Sequence, residues 1–133
     1  MPITLALVLF GALTLFALTF EVLYTYATQG FGFGFSSNRP PVERTPFGKR
    51  VARAYINQTE SASYIVPILA AAAFVDLTSP LTQNAALAII SGRAWFVGFY
   101  YTGLPFVRLI GFIGGTVGSI VLTILVILSL FGS

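Results

Sequence analysis

The sequence contains no cysteine and no histidine among its 133 residues. Without cysteine the chain has no disulfide and no thiol nucleophile, and without histidine it has no imidazole base. The side chains that usually bind zinc, copper or haem are missing for the same reason, so we expect no metal site. Any chemistry must use arginine, glutamate, asparagine, tyrosine and serine side chains, or a group that a second molecule supplies.

Charged residues are scarce as well. They make up 8% of the chain, whereas a soluble domain carries about 25%, and hydrophobic residues make up 56%. Water is therefore not expected to be the solvent for most of the surface. The net charge of +3 is not concentrated in a basic run, which gives no support for nucleic-acid binding.

Four apolar runs are each long enough to cross a bilayer core, which takes roughly 20 helical residues. They cover residues 3–28, 51–75, 81–101 and 105–131. Because the runs are continuous rather than alternating, they predict helices and not the strands of a barrel. We expect one membrane domain, 1–133, built as an all-α bundle of four transmembrane helices. The first run exceeds the apolar region of a signal peptide and predicts a retained helix.

The segment 29–50 is rich in glycine, proline and phenylalanine and predicts an irregular loop at the membrane surface. We interpret its phenylalanines as interfacial anchors, with a substrate lid as the alternative. Lysine and arginine lie in this loop and just beyond the third loop, whereas the two tails have none. The positive-inside rule therefore places these two loops in the cytoplasm and both termini on the non-cytoplasmic side.

A polar stripe runs along the second predicted helix. At about 100° per residue, four side chains share one face of it: Arg53, Asn57, Glu60 and Tyr64. Charges within a transmembrane helix are costly and indicate function. The alternative is an internal polar network that only ties the helices together, because a buried glutamate needs a cationic partner.

The third and fourth predicted helices carry further polar groups. Arg93 lies well inside its apolar run, too deep to snorkel, and Tyr100 follows seven residues later on the same face. Glu60 is the expected partner of Arg93. Arg108 lies near the start of the fourth helix, where snorkelling to lipid phosphates is the alternative to a role in a site.

Two features concern helix packing. Glu21 lies near the end of the first helix and is expected to pair with Arg53 or Arg93. The fourth helix has two overlapping pairs of glycines four residues apart, which predict close approach of another helix in this chain or in a second copy: Gly111 with Gly115, and Gly114 with Gly118.

The cations, the buried carboxylate, the amide and the phenols gather in the predicted cytoplasmic half. They suit a small, multiply charged, soluble ligand bound at the membrane edge, because arginine binds carboxylates bidentately and Glu60 can receive an ammonium group. From the residues alone, the prediction is a polar ligand site between helices, with the reaction unknown.

These motifs resemble those of the MAPEG family, the membrane-associated proteins in eicosanoid and glutathione metabolism. The stretch from Arg50 to Glu60, with an Arg-Ala pair followed by Asn and Glu, resembles the signature of the family's second helix. The stretch from Arg93 to Arg108 resembles the family's third-helix arginine, the tyrosine seven residues later and the arginine that opens the fourth helix. The Asn-Arg pair at 38–39 resembles the loop of bacterial-type members.

The resemblance implies a homotrimer in the bacterial inner membrane that binds glutathione between subunits, at the cytosolic side. It implies that Arg108 stabilises the glutathione thiolate and that five residues contact glutathione: Arg53, Asn57, Glu60, Arg93 and Tyr100. Glutathione would be a co-substrate that supplies the thiol this chain lacks. The second substrate of such a transferase or peroxidase would be an apolar electrophile that arrives from the membrane lipid.

The sequence departs from the leukotriene-forming branch of the family, which has tyrosines where this chain has Ser61 and Phe96. A leukotriene synthase is therefore not expected. Because the family includes a non-enzymatic member, the alternative is a non-catalytic accessory or structural subunit of a larger inner-membrane complex. A small transporter or channel has less support, since the discontinuous or repeated helices that transporters favour are not evident.

Overall fold

The structure is a computed structural model that describes residues 1–29 and 45–132. Every regular element in these ranges is an α-helix. The four helices are α1 (Ile3–Gln29), α2 (Pro46–Phe74), α3 (Pro80–Thr102) and α4 (Pro105–Phe131). The prediction of an all-helical fold is confirmed, and residues 30–44 of the predicted loop lie outside the described residues.

α2 begins at Pro46 rather than at the predicted residue 51. Thr45 caps this helix, because its hydroxyl oxygen accepts a hydrogen bond from the Gly48 amide at 3.0 Å. Proline also suits the first helical position, where its missing N–H is not needed. Residues 46–50 therefore form the first turn and a half of a helix and are not part of an irregular loop.

Phe47, one of the phenylalanines predicted to be interfacial anchors, is half-buried and packs against α1. Its ring lies edge-on to the rings of Phe20 and Tyr24 of α1, with centroid distances of 6.2 and 5.2 Å. The Phe20 ring in turn lies 5.0 Å from the ring of Tyr101 at the end of α3. These aromatic contacts join α1, α2 and α3 at one end of the bundle. The other phenylalanines of the predicted loop lie outside the described residues.

Short turns join α2 to α3 and α3 to α4, so consecutive helices are antiparallel. Ser79 caps α3 by accepting a hydrogen bond from the Thr82 amide at 3.2 Å. Gly103 ends α3 with a φ of 78°, a left-handed conformation that suits glycine. The Arg50 side chain covers this turn, and its Nε donates a hydrogen bond to the Tyr101 carbonyl oxygen at 3.1 Å.

α3 and α4 approach closely through glycine. A Cβ atom on Gly92 would lie 2.5 Å from the Gly111 carbonyl oxygen and from the Gly115 amide nitrogen. A Cβ atom on Gly118 would lie 2.8 Å from the Ala85 carbonyl oxygen, whereas one on Gly114 would meet nothing within 4 Å. The partner of the predicted glycine face is therefore α3 of the same chain, and Gly114 lies outside that contact.

The apolar core fills the half of the bundle that contains the N-terminus and the turn between α2 and α3. It includes Phe10, Ile65, Leu69, Ile89 and Leu122, each 1% exposed or less. Two helices, α1 and α4, are long and apolar enough to cross a membrane. α2 and α3 have 29 and 23 residues and carry the polar groups described below.

Candidate functional site

Arg93 of α3 is a buried cation held by two neutral amides. It is 1% exposed and is the largest fully buried side chain among the described residues. Its Nε donates a hydrogen bond to Gln58 Oε1 at 3.1 Å, and its Nη2 donates one to Asn57 Oδ1 at 2.9 Å. Its Cζ also lies 4.8 Å from the centroid of the Phe96 ring, a cation–π distance. These contacts offset part of the cost of removing the charge from water.

Gln58 connects this arginine to α1. The Gln58 side chain is fully buried, and its Nε2 donates a hydrogen bond to Thr14 Oγ1 at 3.1 Å. The Thr14 hydroxyl in turn donates to the Phe10 carbonyl oxygen at 2.9 Å. A continuous set of hydrogen bonds therefore links α1, α2 and α3.

Gly115 of α4 lies beside the aliphatic stem of Arg93. A Cβ atom on Gly115 would lie 3.5 Å from Arg93 Cδ, which is an ordinary van der Waals contact. The polar network therefore involves all four described helices: three supply hydrogen-bonding groups, and α4 supplies the surface on which the arginine lies.

The predicted pair between Arg93 and Glu60 is wrong. In the part of the chain that the structure describes, no carboxylate oxygen lies within 4 Å of the Arg93 guanidinium nitrogens, and Glu60 is exposed. The reason is rotation about the α2 axis. Gln58 faces α3, and Glu60, two residues later, lies about 200° around the helix. The other carboxylate expected near these arginines, Glu21, accepts a hydrogen bond from Thr25 Oγ1 at 3.4 Å.

The predicted polar stripe of α2 lies mostly on the surface of the chain, and Asn57 is the member of it that reaches towards the interior. Arg53, Glu60 and Tyr64 are exposed, and Asn57 is half-buried at the border between this surface and Arg93. Arg53 precedes Asn57 by four residues and Glu60 follows it by three, so a cation, an amide and a carboxylate follow one another along the same face.

Tyr100 and Arg108 lie together where α3 ends and α4 begins. The Arg108 Cζ lies 4.2 Å from the centroid of the half-buried Tyr100 ring. The Tyr100 ring lies edge-on to Phe96, with 5.4 Å between centroids. Phe96 also contacts Arg93, so the two rings lie side by side along the boundary of α3 and α4, with one arginine at each end. Phe96, which was not a predicted site residue, thus connects three residues that were: Arg93, Tyr100 and Arg108.

An open apolar groove of about 350 Å³ lies between α2 and α4, next to the stripe. Tyr64 belongs to both the groove and the stripe. The groove is lined by Tyr64, Ile68, Thr116, Ser119, Ile120, Thr123 and Ile124. A polar surface and an apolar surface therefore meet at Tyr64.

The comparison with protein families decides the family. The model of the MAPEG family matches residues 3–128, nearly the whole chain. The chain belongs to the MAPEG family. This is a family of membrane proteins that includes glutathione transferases and related proteins. The searches of curated proteins and of solved structures found no match.

In this MAPEG chain, the sequence-based reasoning missed Gln58 and Thr14. A signal for Gln58 was present, because it lies on the face of α2 that also carries the buried Val51, Ala54 and Ser61. A polar residue on an otherwise small and apolar face indicates a buried hydrogen bond. Thr14 gave no such signal, because a threonine in a membrane helix often bonds only its own backbone.

Proposed function

We propose that this MAPEG chain is a glutathione-dependent transferase or peroxidase that acts on lipophilic electrophiles at the membrane. The observation that carries the proposal is the exposure of Arg53 and Glu60 on one face of α2, with Asn57 between them. Opposite charges on a membrane helix are costly unless a ligand or a second chain covers them. Glutathione carries carboxylates and an ammonium group, which complement both charges.

The proposed glutathione site comprises the residues that the family resemblance implies: Arg53, Asn57, Glu60, Arg93 and Tyr100. Because the stripe is exposed in a single chain, we propose that a second copy completes the site in a homotrimer. We place the site at the cytoplasmic side of a bacterial inner membrane, with both termini on the opposite side, as the distribution of lysine and arginine indicates.

Arg108 is the proposed catalytic residue. A free thiol has a pKa of about 8.5, and a cation nearby lowers a pKa by about 1–3 units. The half-buried guanidinium of Arg108 would therefore increase the thiolate fraction of glutathione at neutral pH. In a transferase step the thiolate sulfur bonds to the electrophilic carbon, and the leaving group departs with the electron pair of the bond that breaks.

The apolar groove between α2 and α4 supports the choice of a lipophilic second substrate. Its lining is apolar except for three hydroxyl-bearing residues of α4 and Tyr64. Two of those hydroxyls bond to backbone oxygens of α4: Ser119 to Gly115 at 2.7 Å and Thr123 to Ser119 at 2.7 Å. A groove with few free polar groups suits an apolar molecule that enters from the lipid.

A second candidate is a non-catalytic accessory subunit of a larger membrane complex. The network around Arg93 favours it, because a set of hydrogen bonds that joins three helices has a structural use without any ligand. This candidate predicts copurification with other membrane proteins and no binding of glutathione.

Glutathione binding to the purified protein in detergent, measured by calorimetry, separates the two candidates. We expect the wild type to bind with a dissociation constant between about 1 µM and 1 mM and Arg53→Ala to lose this binding. Thr59→Ala is the control, since Thr59 is an exposed polar residue of α2 on a different face from the stripe and its hydroxyl bonds its own helix backbone; it should bind like the wild type. Absence of wild-type binding up to about 10 mM would favour the accessory subunit.

A further inference from the structure

The side-chain amide of Asn57 has its orientation set by the group that it faces. A guanidinium group only donates hydrogen bonds, so the amide oxygen of Asn57 must point towards Arg93, as the 2.9 Å contact shows. The NH2 group of Asn57 then points the other way. Among the described residues Asn57 Nδ2 donates to no acceptor. It is accessible to solvent or a ligand, since the buried side-chain atom that lacks a hydrogen-bond partner in this part of the chain is Tyr101 Oη and not Asn57 Nδ2.

The rest of the network keeps Arg93 in place. The Thr14 hydroxyl donates its hydrogen bond to the Phe10 carbonyl oxygen, so the Thr14 oxygen is left to accept a hydrogen bond from Gln58 Nε2. Because the NH2 group of Gln58 faces Thr14, the Gln58 amide oxygen faces Arg93 and accepts a hydrogen bond from its Nε. Each hydrogen bond from the α1 backbone to Asn57 therefore has one consistent direction, and the connected network restrains Arg93 and Asn57.

We propose that Arg93 is a positioning residue that holds the NH2 group of Asn57 outward, as a hydrogen-bond donor to a carboxylate or carbonyl oxygen of the ligand. This inference rests on the proposed function, in which the ligand is glutathione. Arg93 is 1% exposed in the chain, and its role in this proposal is to orient Asn57.

Two variants test this assignment as a matched pair: Asn57→Asp and Gln58→Glu. Each puts a carboxylate against the Arg93 guanidinium, but only Asn57→Asp replaces the outward NH2 group by an oxygen. In Gln58→Glu, Thr14 can turn its hydroxyl proton to the new carboxylate.

We expect Asn57→Asp to weaken glutathione binding by about tenfold or more, the loss of a hydrogen bond to a charged group. Gln58→Glu should stay within about threefold of the wild type. Equal losses in both variants, or wild-type affinity in Asn57→Asp, would overturn the assignment.

A ligand-free measurement keeps the inference separate from the proposed function. Side-chain amide protons of Asn57 and Gln58 are followed by NMR hydrogen exchange in the reconstituted wild type, with assignments from the signals that the two variants lose. We expect the Gln58 protons to be protected, since they bond to Thr14, and the Asn57 protons to exchange quickly. Equal protection would overturn the inference. A wild type that binds no glutathione, yet shows this exchange difference, would contradict the proposed function and leave the Asn57 orientation standing.

Discussion

At the scale of single residues, Arg93 and Arg108 show that the neighbours of an arginine decide its role. Arg93 is enclosed by Asn57, Gln58 and Phe96. Arg108 is half-buried, and its described side-chain contact is the face of the Tyr100 ring. A cation that lies on an aromatic face keeps its N–H donors for another molecule, so Arg108 is the better placed of the two to meet a thiolate.

Replacing Arg108 by alanine should remove catalysis and spare binding. Without the cation the glutathione thiol regains a higher pKa, so turnover of an apolar aryl halide at pH 7 should fall by about tenfold or more, with glutathione affinity nearly unchanged. The sign of the pH effect follows: the loss should shrink as pH rises towards about 9, where the thiol ionises without help. Thr59→Ala, on a face of α2 away from the stripe, should turn over normally. Unchanged turnover in Arg108→Ala would contradict the catalytic role.

At the scale of helices, the contact between α3 and α4 depends on the absence of side chains at a few positions. Gly92, Gly111 and Gly118 leave space for the opposing backbone, with 2.5–2.8 Å between a hypothetical Cβ and backbone atoms. A backbone atom cannot swing aside as a side chain does. Any larger residue must therefore separate the two helices, which would also disturb the surface on which Arg93 lies.

A pair of single-methyl substitutions tests this contact. Gly92→Ala should destabilise the protein by about 1–3 kcal/mol through overpacking. Gly114→Ala, on the same pair of helices, has nothing within 4 Å of its new Cβ, and alanine favours a helix by about 1 kcal/mol, so it should be neutral or slightly stabilising. Thermal unfolding in detergent, followed by circular dichroism, measures both. If Gly92→Ala is as stable as Gly114→Ala, the close approach of α3 and α4 is not correct.

At the scale of the whole molecule, one chain leaves its polar stripe and a large apolar surface uncovered. Arg53 and Glu60 are exposed on α2, and large apolar side chains such as Leu15, Ile110 and Ile127 are exposed on α1 and α4. Lipid can cover the apolar residues, but it does not satisfy the charges of the stripe. In the proposed homotrimer a second copy would cover these charges.

Native mass spectrometry after gentle detergent extraction should therefore find three times the mass of one chain. Arg53→Glu should weaken this assembly, because it places two carboxylates on the same face of α2. A monomer in the wild type would contradict the proposed trimer. Stable copurification with other membrane proteins would instead favour the accessory subunit.

Local properties of the sequence were sufficient for the helices and for the family. The lengths of the apolar runs predicted four helices, and the Arg-Ala, Asn and Glu motif indicated the MAPEG family, which is confirmed. The start of α2 was predicted too late, because Lys49 and Arg50 interrupt the hydrophobic pattern. The Thr45-Pro46 capping signal lay just before them and sets the actual start.

Only the tertiary structure decided which face of α2 turns inward. Periodicity shows that Arg53, Asn57 and Glu60 share a face, but it does not say how a helix is rotated against its neighbours. That rotation depends on groups far apart in the sequence: Thr14 on α1 binds Gln58, and Gly115 on α4 lies beside the stem of Arg93. Packing of these four helices therefore gave Arg93 two amide partners and left Glu60 at the surface. The sequence by itself determined which polar residues the helices carry, and the packing decided which of them meet.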